Sequence, residues 1–296
     1  MVWVAPAQAA DVAARSRSVQ VGGLTRSYLL HTPSSMPAGR PAPLVVVFHG
    51  GGGSPSGIDR LTRFSALADR EGFLVAYPES SGFQWNDGRV TAASGAGPQI
   101  DDVGFVAAMI DAIGRERPLD LRRIYATGMS NGAIFSHYVG ARLSARIAGI
   151  AAVAGGTADP FHRTFRPERP VSVLIIHGTK DPRIPYAGGD IQGGLLGRIL
   201  PTEEAVRLWG ARNGAAQAPA SEELSAASAE RCGGRRVIYS RGRDGTKAVL
   251  IRLEGGGHTW PGAPPGYLPE RQFGRLCRDF DATAVIWEFF RAHPKP

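Results

Sequence analysis

The chain has 296 residues, of which 43% are hydrophobic and 20% are charged. A chain of this length and apolar content can bury one large core, and its composition is not that of a disordered chain. The formal net charge is +8, but the arginines behind it are scattered rather than clustered with aromatic residues, so no nucleic-acid partner is expected. No run of 18 apolar residues exists, so no membrane-spanning helix is expected either.

Residues 1–18 are interpreted as the remnant of a signal peptide or as a disordered N-terminus. The Ala-Gln-Ala at 7–9 has the small-x-small form of a signal-peptidase site, but a basic start and a full apolar run are missing. The signal-peptide alternative predicts a secreted or periplasmic protein. In such a compartment Cys232 and Cys277 could form a disulfide, although their spacing alone does not show it.

Residues 19–296 are predicted to form one α/β domain. A hairpin over 19–30 turns at Gly22-Gly23, and apolar runs at 43–49 and 73–77 are typical of strands buried on both faces. Between these runs a helix is predicted from the stripe Ile58, Leu61, Phe64 and Leu67. Further helices are predicted near 102–114, 131–143, 202–212 and 281–292, and further strands near 123–127, 148–153, 171–176, 236–241 and 247–253. This alternation indicates a mostly parallel sheet with helices on both faces.

Gly128-Met-Ser130-Asn-Gly132 stands between a predicted strand and a predicted helix. A nucleophilic serine on such a strand-to-helix turn needs small neighbours two residues away on each side, because the turn is sharp and strained. The free N–H groups of the helix N-terminus then favour developing negative charge. The motif predicts Ser130 as a nucleophile.

A glycine run, His49-Gly-Gly-Gly-Gly-Ser54, follows the first buried strand. Glycines allow backbone N–H groups to approach an oxyanion without a Cβ in the way. No Gly-Lys-Ser/Thr follows, which disfavours a phosphate-binding loop. We expect the N–H groups of Gly51 and Asn131 to form the oxyanion hole, with Gly52 as the alternative to Gly51.

Two later loops supply the partners that a nucleophilic serine requires. Asp181 follows a late strand in His177-Gly-Thr-Lys-Asp181, and His258 lies in a glycine-rich loop after the last strand. The order Ser130, Asp181, His258 is that of the α/β-hydrolase fold, with His258 as general base and Asp181 as the acid that orients it. An aspartate that only caps a turn is the alternative for Asp181, and His177 is expected to be a packed, structural histidine.

Two tryptophans follow strands at the end of the sheet where ligands bind in open α/β folds. Trp85 and Trp260 are therefore candidate substrate-binding residues, and the alternative is that either one simply packs the core. Asp101 and Asp102 stand at a helix start, where a capping role is expected rather than a metal or acid–base role. No cluster of His, Asp and Glu predicts a metal site, and no cofactor is expected.

The motifs HGGGGS, GMSNGA, HGTKDPRIPYAGG and GGGHTWPG together resemble those of the polyhydroxybutyrate depolymerase-like esterases, which are related to feruloyl and acetylxylan esterases. The resemblance extends from about residue 24 to 291. It implies an α/β-hydrolase fold, a carboxylic ester substrate, Ser130, Asp181 and His258 as the catalytic triad, and Trp260 beside the acyl pocket. With only two cysteines in this sequence, a disulfide pattern of the family does not transfer.

The sequence leaves the substrate open among hydroxybutyrate polyester or oligomers, feruloyl esters and acetyl esters. Alternative functions are a peptidase of the same fold and a catalytically inactive hydrolase fold that serves as a binding protein. The oligomeric state and the mobility of 188–197 are also left open.

Overall fold

Ten strands form one sheet in the computed structural model of the chain, which describes residues 14–37, 39–89, 100–215, 218–225 and 232–296. The sheet has the order β1-β2-β4-β3-β5-β6-β7-β12-β11-β10. Its strands are β1 (Arg15–Val21), β2 (Leu24–His31), β3 (Ala42–Phe48), β4 (Leu74–Pro78), β5 (Leu119–Met129), β6 (Gly149–Val153), β7 (Ser172–Gly178), β10 (Ala220–Leu224), β11 (Gly234–Tyr239) and β12 (Ala248–Leu253). Two short strands, β8 (Gly189–Asp190) and β9 (Arg198–Ile199), pair separately.

The six central strands, from β4 to β12, run parallel, and both edges are antiparallel. The predicted leading hairpin is confirmed as β1 and β2, which pair across Gly22-Gly23. In parallel strands the carboxyl ends share one edge of the sheet. The loops after β3, β4, β5, β7 and β12 therefore leave the sheet on the same side.

Helices cover both faces of this sheet. Their bounds are α1 (Pro55–Thr62), α2 (Phe64–Glu71), α3 (Asp102–Glu116), α4 (Asn131–Arg142), α5 (Asp159–Thr164), α6 (Thr202–Asn213), α7 (Glu270–Phe273) and α8 (Ala282–Arg291). Alternate residues of β3 enter two different cores: Leu44, Val46 and Phe48 join side chains of α3, α4 and α6, whereas Val45 and Val47 join those of α1, α2 and α8. A strand buried on both faces reads as a continuous apolar run, which explains how the sequence revealed it.

The structure changes two of the predicted elements. The stripe from Ile58 to Leu67 belongs to two helices, because Arg63 adopts a left-handed conformation (φ 56°) that ends α1 and precedes α2. Strand β1 begins at Arg15, so residues 15–18 belong to the sheet and not to the terminal segment. The rest of that segment, with the signal-peptide motif at 7–9, lies outside the described residues.

Cys232 and Cys277 are joined by a disulfide, with 5.4 Å between their Cα atoms. The bridge that the sequence left open is therefore present. None of the described helices combines the length and the apolar character needed to cross a membrane.

Candidate active site

Ser130 occupies a strained turn between β5 and α4. Its backbone has φ 60° and ψ −124°, a region that L-residues rarely adopt, and its N–H donates to the carbonyl of Val153 at 3.0 Å. Such a conformation costs about 1–3 kcal/mol and persists only where its surroundings enforce it. It is the geometry that the strand-turn-helix motif predicts for a nucleophile.

The two motif glycines are required by close backbone packing. A Cβ on Gly128 would lie 2.7 Å from the backbone of Gly132, and a Cβ on Gly132 would lie 2.4 Å from the carbonyl oxygen of Phe48. Neither position could accommodate alanine without moving β3, β5 or α4. The motif therefore reflects the packing of the turn against its neighbouring strand.

Asp181 and His258 meet at the same edge of the sheet. His258 Nδ1 lies 2.8 Å from Asp181 Oδ2, and both side chains are buried. The other carboxylate oxygen, Oδ1, accepts the N–H groups of Arg183 and Ile184, each at 2.8 Å. Burial acts to raise the pKa of Asp181, but hydrogen bonds from His177 and His258, with their charge, hold it well below its usual value. The carboxyl is thus an ionised acceptor that orients His258.

Within the part of the chain that the structure describes, the Ser130 hydroxyl makes no hydrogen bond, and therefore none to His258. A catalytic hydrogen bond that is long in a substrate-free structure can tighten when substrate binds. The structure brings Asp181 and His258 into contact and places the serine at the same edge of the sheet. The catalytic roles of the three residues stay predictions.

The glycine run after β3 lies against the serine. A Cβ on Gly50 would lie 3.2 Å from Ser130 Cβ, so Gly50 is the residue of this run that packs against Ser130. The Gly52 N–H donates to the carbonyl of Phe83 at 2.7 Å and is therefore occupied. The N–H groups of Gly51 and Asn131 have no acceptor among the described residues, which favours Gly51 over Gly52 for the predicted oxyanion hole.

The histidine that opens this run fixes its shape. His49 Nδ1 lies 2.8 Å from the carbonyl of Gly50, and its Nε2 accepts the N–H of Ser80 at 3.3 Å. The proton therefore resides on Nδ1. Burial lowers the pKa of His49, which keeps the ring neutral, as this pair of contacts requires.

Trp85 and Trp260 are both core residues, 2% and 1% exposed. Trp85 donates to the carbonyl of His49 at 2.9 Å and stacks on Phe135 with 5.1 Å between ring centroids. Trp260 donates to Thr283 Oγ1 at 3.1 Å. The structure gives both indoles the packing role that the sequence analysis held as the alternative. Direct contact with substrate stays a prediction, which this burial disfavours.

Asn131 contributes more than a backbone N–H. Its buried side chain accepts the N–H of Trp85 at 2.7 Å and donates to Asp87 Oδ2 at 2.6 Å. Asp87 in turn forms a buried ion pair with Arg89, which donates to the carbonyl of Leu196 at 2.8 Å. The loop after β4 is therefore connected both to the first turn of α4 and to the 188–197 segment.

Comparison with known proteins identifies the family. The model of the family described as "Esterase PHB depolymerase" matches residues 26–165. NocK of Nocardia uniformis subsp. tsuyamanensis, which carries the name of an esterase, is 32% identical over 271 residues, or 88% of this chain and 78% of that protein. The chain belongs to the esterase PHB depolymerase family. It is a carboxylic ester hydrolase.

Two further relatives are matched over a smaller part of their own length. Feruloyl esterase B of Piromyces equi is 27% identical over 84% of this chain, and poly(3-hydroxyalkanoate) depolymerase C of Paucimonas lemoignei is 28% identical over 65%. The chain spans 45% of the length of each. Among solved structures, the acetyl xylan esterase from Aspergillus awamori has a TM-score of 0.59 at 16% identity, covering 83% of this chain and 94% of that one. This likeness confirms the α/β-hydrolase fold.

Sequence reasoning missed one exposed aromatic residue of this esterase. Phe83 is 69% exposed, and its ring lies where a Cβ on Gly51 or Gly52 would come within 3.2 or 2.6 Å of it. A single exposed apolar side chain is common on protein surfaces, so it is the position of Phe83 beside the glycine loop that makes it a candidate substrate-binding residue. The signal in the sequence was its place between β4 and Trp85, at the loop end of the sheet.

The paired aspartates at the start of α3 have structural roles, as expected. Asp101 caps the helix by accepting the N–H of Gly104 at 2.7 Å. Asp102 is buried against Arg26 at 2.6 Å and accepts the N–H of Asn86 at 2.8 Å. In the described residues, one group of three side chains has metal-ligand spacing, Cys232, Cys277 and Asp279, and its two sulfurs are already bonded to each other.

Proposed function

We propose that this esterase hydrolyses carboxylic esters through an acyl-enzyme on Ser130. The observation that carries the proposal is the position of Ser130. It lies on a strained turn at the helix N-terminus, on the same edge of the sheet as the buried pair of His258 and Asp181, whose atoms are 2.8 Å apart.

The chemistry follows from these groups. His258 Nε2 takes the proton of Ser130 as Oγ attacks the ester carbonyl, and the N–H groups of Gly51 and Asn131 stabilise the negative oxygen. The intermediate collapses, the C–O bond to the alcohol breaks, and His258 returns the proton to the leaving alcohol. Water then attacks the acyl-enzyme in the same way and releases the acid.

Variants of the three residues test this mechanism. Ser130→Ala is expected to lower kcat on nitrophenyl acetate by several orders of magnitude, His258→Ala nearly as much and Asp181→Asn somewhat less, because the triad acts as a unit. Ser221→Ala, on the exposed edge strand β10, is the matched control and should keep full activity. A Ser130→Ala enzyme that retains a tenth of the activity would refute the assignment.

The substrate is proposed within the range of the relatives: hydroxybutyrate polyester or oligomers, feruloyl esters or acetyl esters. A panel of nitrophenyl acetate, nitrophenyl butyrate, methyl ferulate, acetylated xylan and hydroxybutyrate oligomers separates these classes. Turnover of peptide amides in preference to all of these esters would favour the peptidase alternative. No turnover of any substrate, with no labelling by a serine-directed phosphonate, would favour the inactive binding protein.

The reaction as proposed needs no cofactor. Nucleophile, base and backbone donors are sufficient for ester hydrolysis, so EDTA is expected to leave kcat unchanged. The proposed compartment is the periplasm or the cell exterior, which the disulfide supports because such bonds persist in oxidising environments.

A further inference from the structure

We propose that His177 is a positioning residue for catalysis. It donates a hydrogen bond that holds the Asp181 carboxylate, so this carboxylate accepts from two histidines and not from His258 alone. The inference rests on the proposed function of the Ser130, His258 and Asp181 site and adds a fourth side chain to it. Nothing in the sequence distinguished His177 from a packed core histidine.

The contacts of His177 determine where its proton resides. Its side chain is fully buried, and Nε2 lies 3.2 Å from both Asp181 Oδ2 and the carbonyl oxygen of Ile184. Both neighbours can only accept, so Nε2 carries the hydrogen. Nδ1 lies 2.8 Å from Thr202 Oγ1, a hydroxyl that can donate to it. The ring is therefore oriented from both ends.

His177 completes the set of donors around the carboxylate. Oδ1 accepts two backbone N–H groups, and Oδ2 accepts the two histidines, His258 at 2.8 Å and His177 at 3.2 Å. His177 lies on β7 and Thr202 begins α6, so the carboxylate is fixed to two rigid elements as well as to its own loop. Without His177, Oδ2 would have His258 as its only partner, and the carboxyl group would be freer to rotate.

Sharing the oxygen also changes how strongly it attracts the proton of His258. A hydrogen bond from His177 stabilises the carboxylate and offsets part of its negative charge. Less of that charge is then available to stabilise the imidazolium of His258. The two histidines are the charged or titratable groups that act on Asp181 among the described residues. The Arg183 guanidinium lies over the ring of Phe273, and Tyr186, packed on His177, donates its hydroxyl to Glu203.

The test compares three variants with a matched control. His177→Leu removes the donor, His177→Gln retains an N–H group near the position of Nε2, and Thr202→Val removes the contact at Nδ1. His137→Leu is the control, because His137 is equally buried but bonds to Trp209. For each protein, kcat and KM on nitrophenyl acetate are measured from pH 5 to 9, per active site titrated with a phosphonate.

For His177→Leu we expect kcat to fall by about tenfold or more, with KM within about twofold, since a misplaced catalytic group costs up to ~100-fold. The acid limb of the kcat/KM profile, where activity falls as the pH is lowered, should move to higher pH. The reason is that a carboxylate no longer shared with His177 stabilises protonated His258 more strongly. His177→Gln should restore most of both properties, Thr202→Val should lie between, and His137→Leu should not move the limb.

An acid limb that stays in place in His177→Leu would overturn the inference, even with a lower kcat, because a merely structural histidine gives that result. An equal shift in His137→Leu would overturn it too. If His177→Leu does not fold, Thr202→Val decides by the same criterion, and a wild-type limb in that variant then refutes the role. Failure of the wild-type protein to react with the phosphonate would instead refute the proposed function.

Discussion

At the scale of single residues, the aromatic side chains near the site divide into buried and exposed ones. Trp85 and Trp260 lie in the two cores, whereas Phe83 projects into solvent beside the glycine loop. Apolar contact with an aromatic face holds acyl chains and planar acyl groups in ester-binding sites. Phe83 is therefore a further candidate substrate-binding residue, beside the two tryptophans that the sequence analysis predicted.

Phe83→Ala is expected to lower kcat/KM for methyl ferulate and nitrophenyl butyrate by about tenfold, and for acetate much less, because a larger acyl group has more apolar surface to place against the ring. Trp260→Ala should instead lower thermal stability and the amount of folded enzyme. The measurement is kcat/KM per titrated active site for the three esters. An equal fall in kcat/KM for all three esters in Phe83→Ala would exclude the ring from the specificity site. A selective loss of activity on methyl ferulate in Trp260→Ala would support Trp260 as a substrate-binding residue.

Much of the site could be predicted from the sequence because each proposed catalytic residue follows a strand. The buried runs predicted the strands, and parallel strands bring their following loops to one edge. Contacts between loops could not be predicted in this way. The occupied N–H of Gly52 and the burial of Trp260 depend on how segments far apart in sequence pack together. The approach of His177 to Asp181, only four residues away, depends on how the loop after β7 folds back toward its strand.

At the scale of elements, the His258 loop is supported by the segment that contains Cys277. The N–H groups of Gly257 and His258 donate to the carbonyls of Arg275 and Phe273, at 2.9 and 2.5 Å. A Cβ on Gly256 would lie 2.8 Å from Cys277 Sγ. The disulfide to Cys232 thus anchors the segment that supports His258, the predicted general base.

Replacing both cysteines by serine is expected to lower the free energy of unfolding by about 2–4 kcal/mol, the usual range for a bridge that closes a loop of this kind. It should also lower kcat of the folded enzyme, because the His258 loop loses its support. Denaturant unfolding and active-site titration of the oxidised wild type and the double variant measure the two effects. A variant with wild-type stability and kcat would show that the bridge is dispensable for both.

Two elements show the limits of hydrophobic patterning. The stripe over 58–67 is continuous, yet Arg63 breaks it into two helices, and no glycine or proline marked that break. The edge strand β10 has an exposed, charged sequence, and its pairing with β11 defines it as a strand. Tertiary contacts rather than local pattern determined both outcomes.

At the scale of the whole molecule, buried histidines make stability depend on pH. His137 is fully buried on α4; its Nδ1 accepts from Trp209 Nε1, and its Nε2 has no partner among the described residues. Burial lowers the pKa of His137 to about 3, whereas the unfolded chain has a value of about 6.5. Between these values the unfolded state binds more protons than the folded state, so stability falls as the pH falls.

We expect the free energy of unfolding to decrease from pH 6.5 to 4.5, with His137 contributing up to about 1.4 kcal/mol per pH unit. His137→Gln, which offers an amide oxygen to Trp209, should flatten this slope by the equivalent of one proton. Urea unfolding at several pH values between 7 and 4.5 provides the measurement. Identical slopes for variant and wild type would show that His137 does not titrate in this window.

The central claim is that Ser130 is the nucleophile of an ester hydrolase, and covalent labelling tests it most directly. An aryl phosphonate ester should add one phosphonyl group per chain, with loss of activity in parallel, and peptide mapping should place the group on Ser130. Ser130→Ala, folded as judged by circular dichroism, should remain unlabelled. A wild-type protein that stays unlabelled, or one labelled at another residue with loss of activity, would contradict the account.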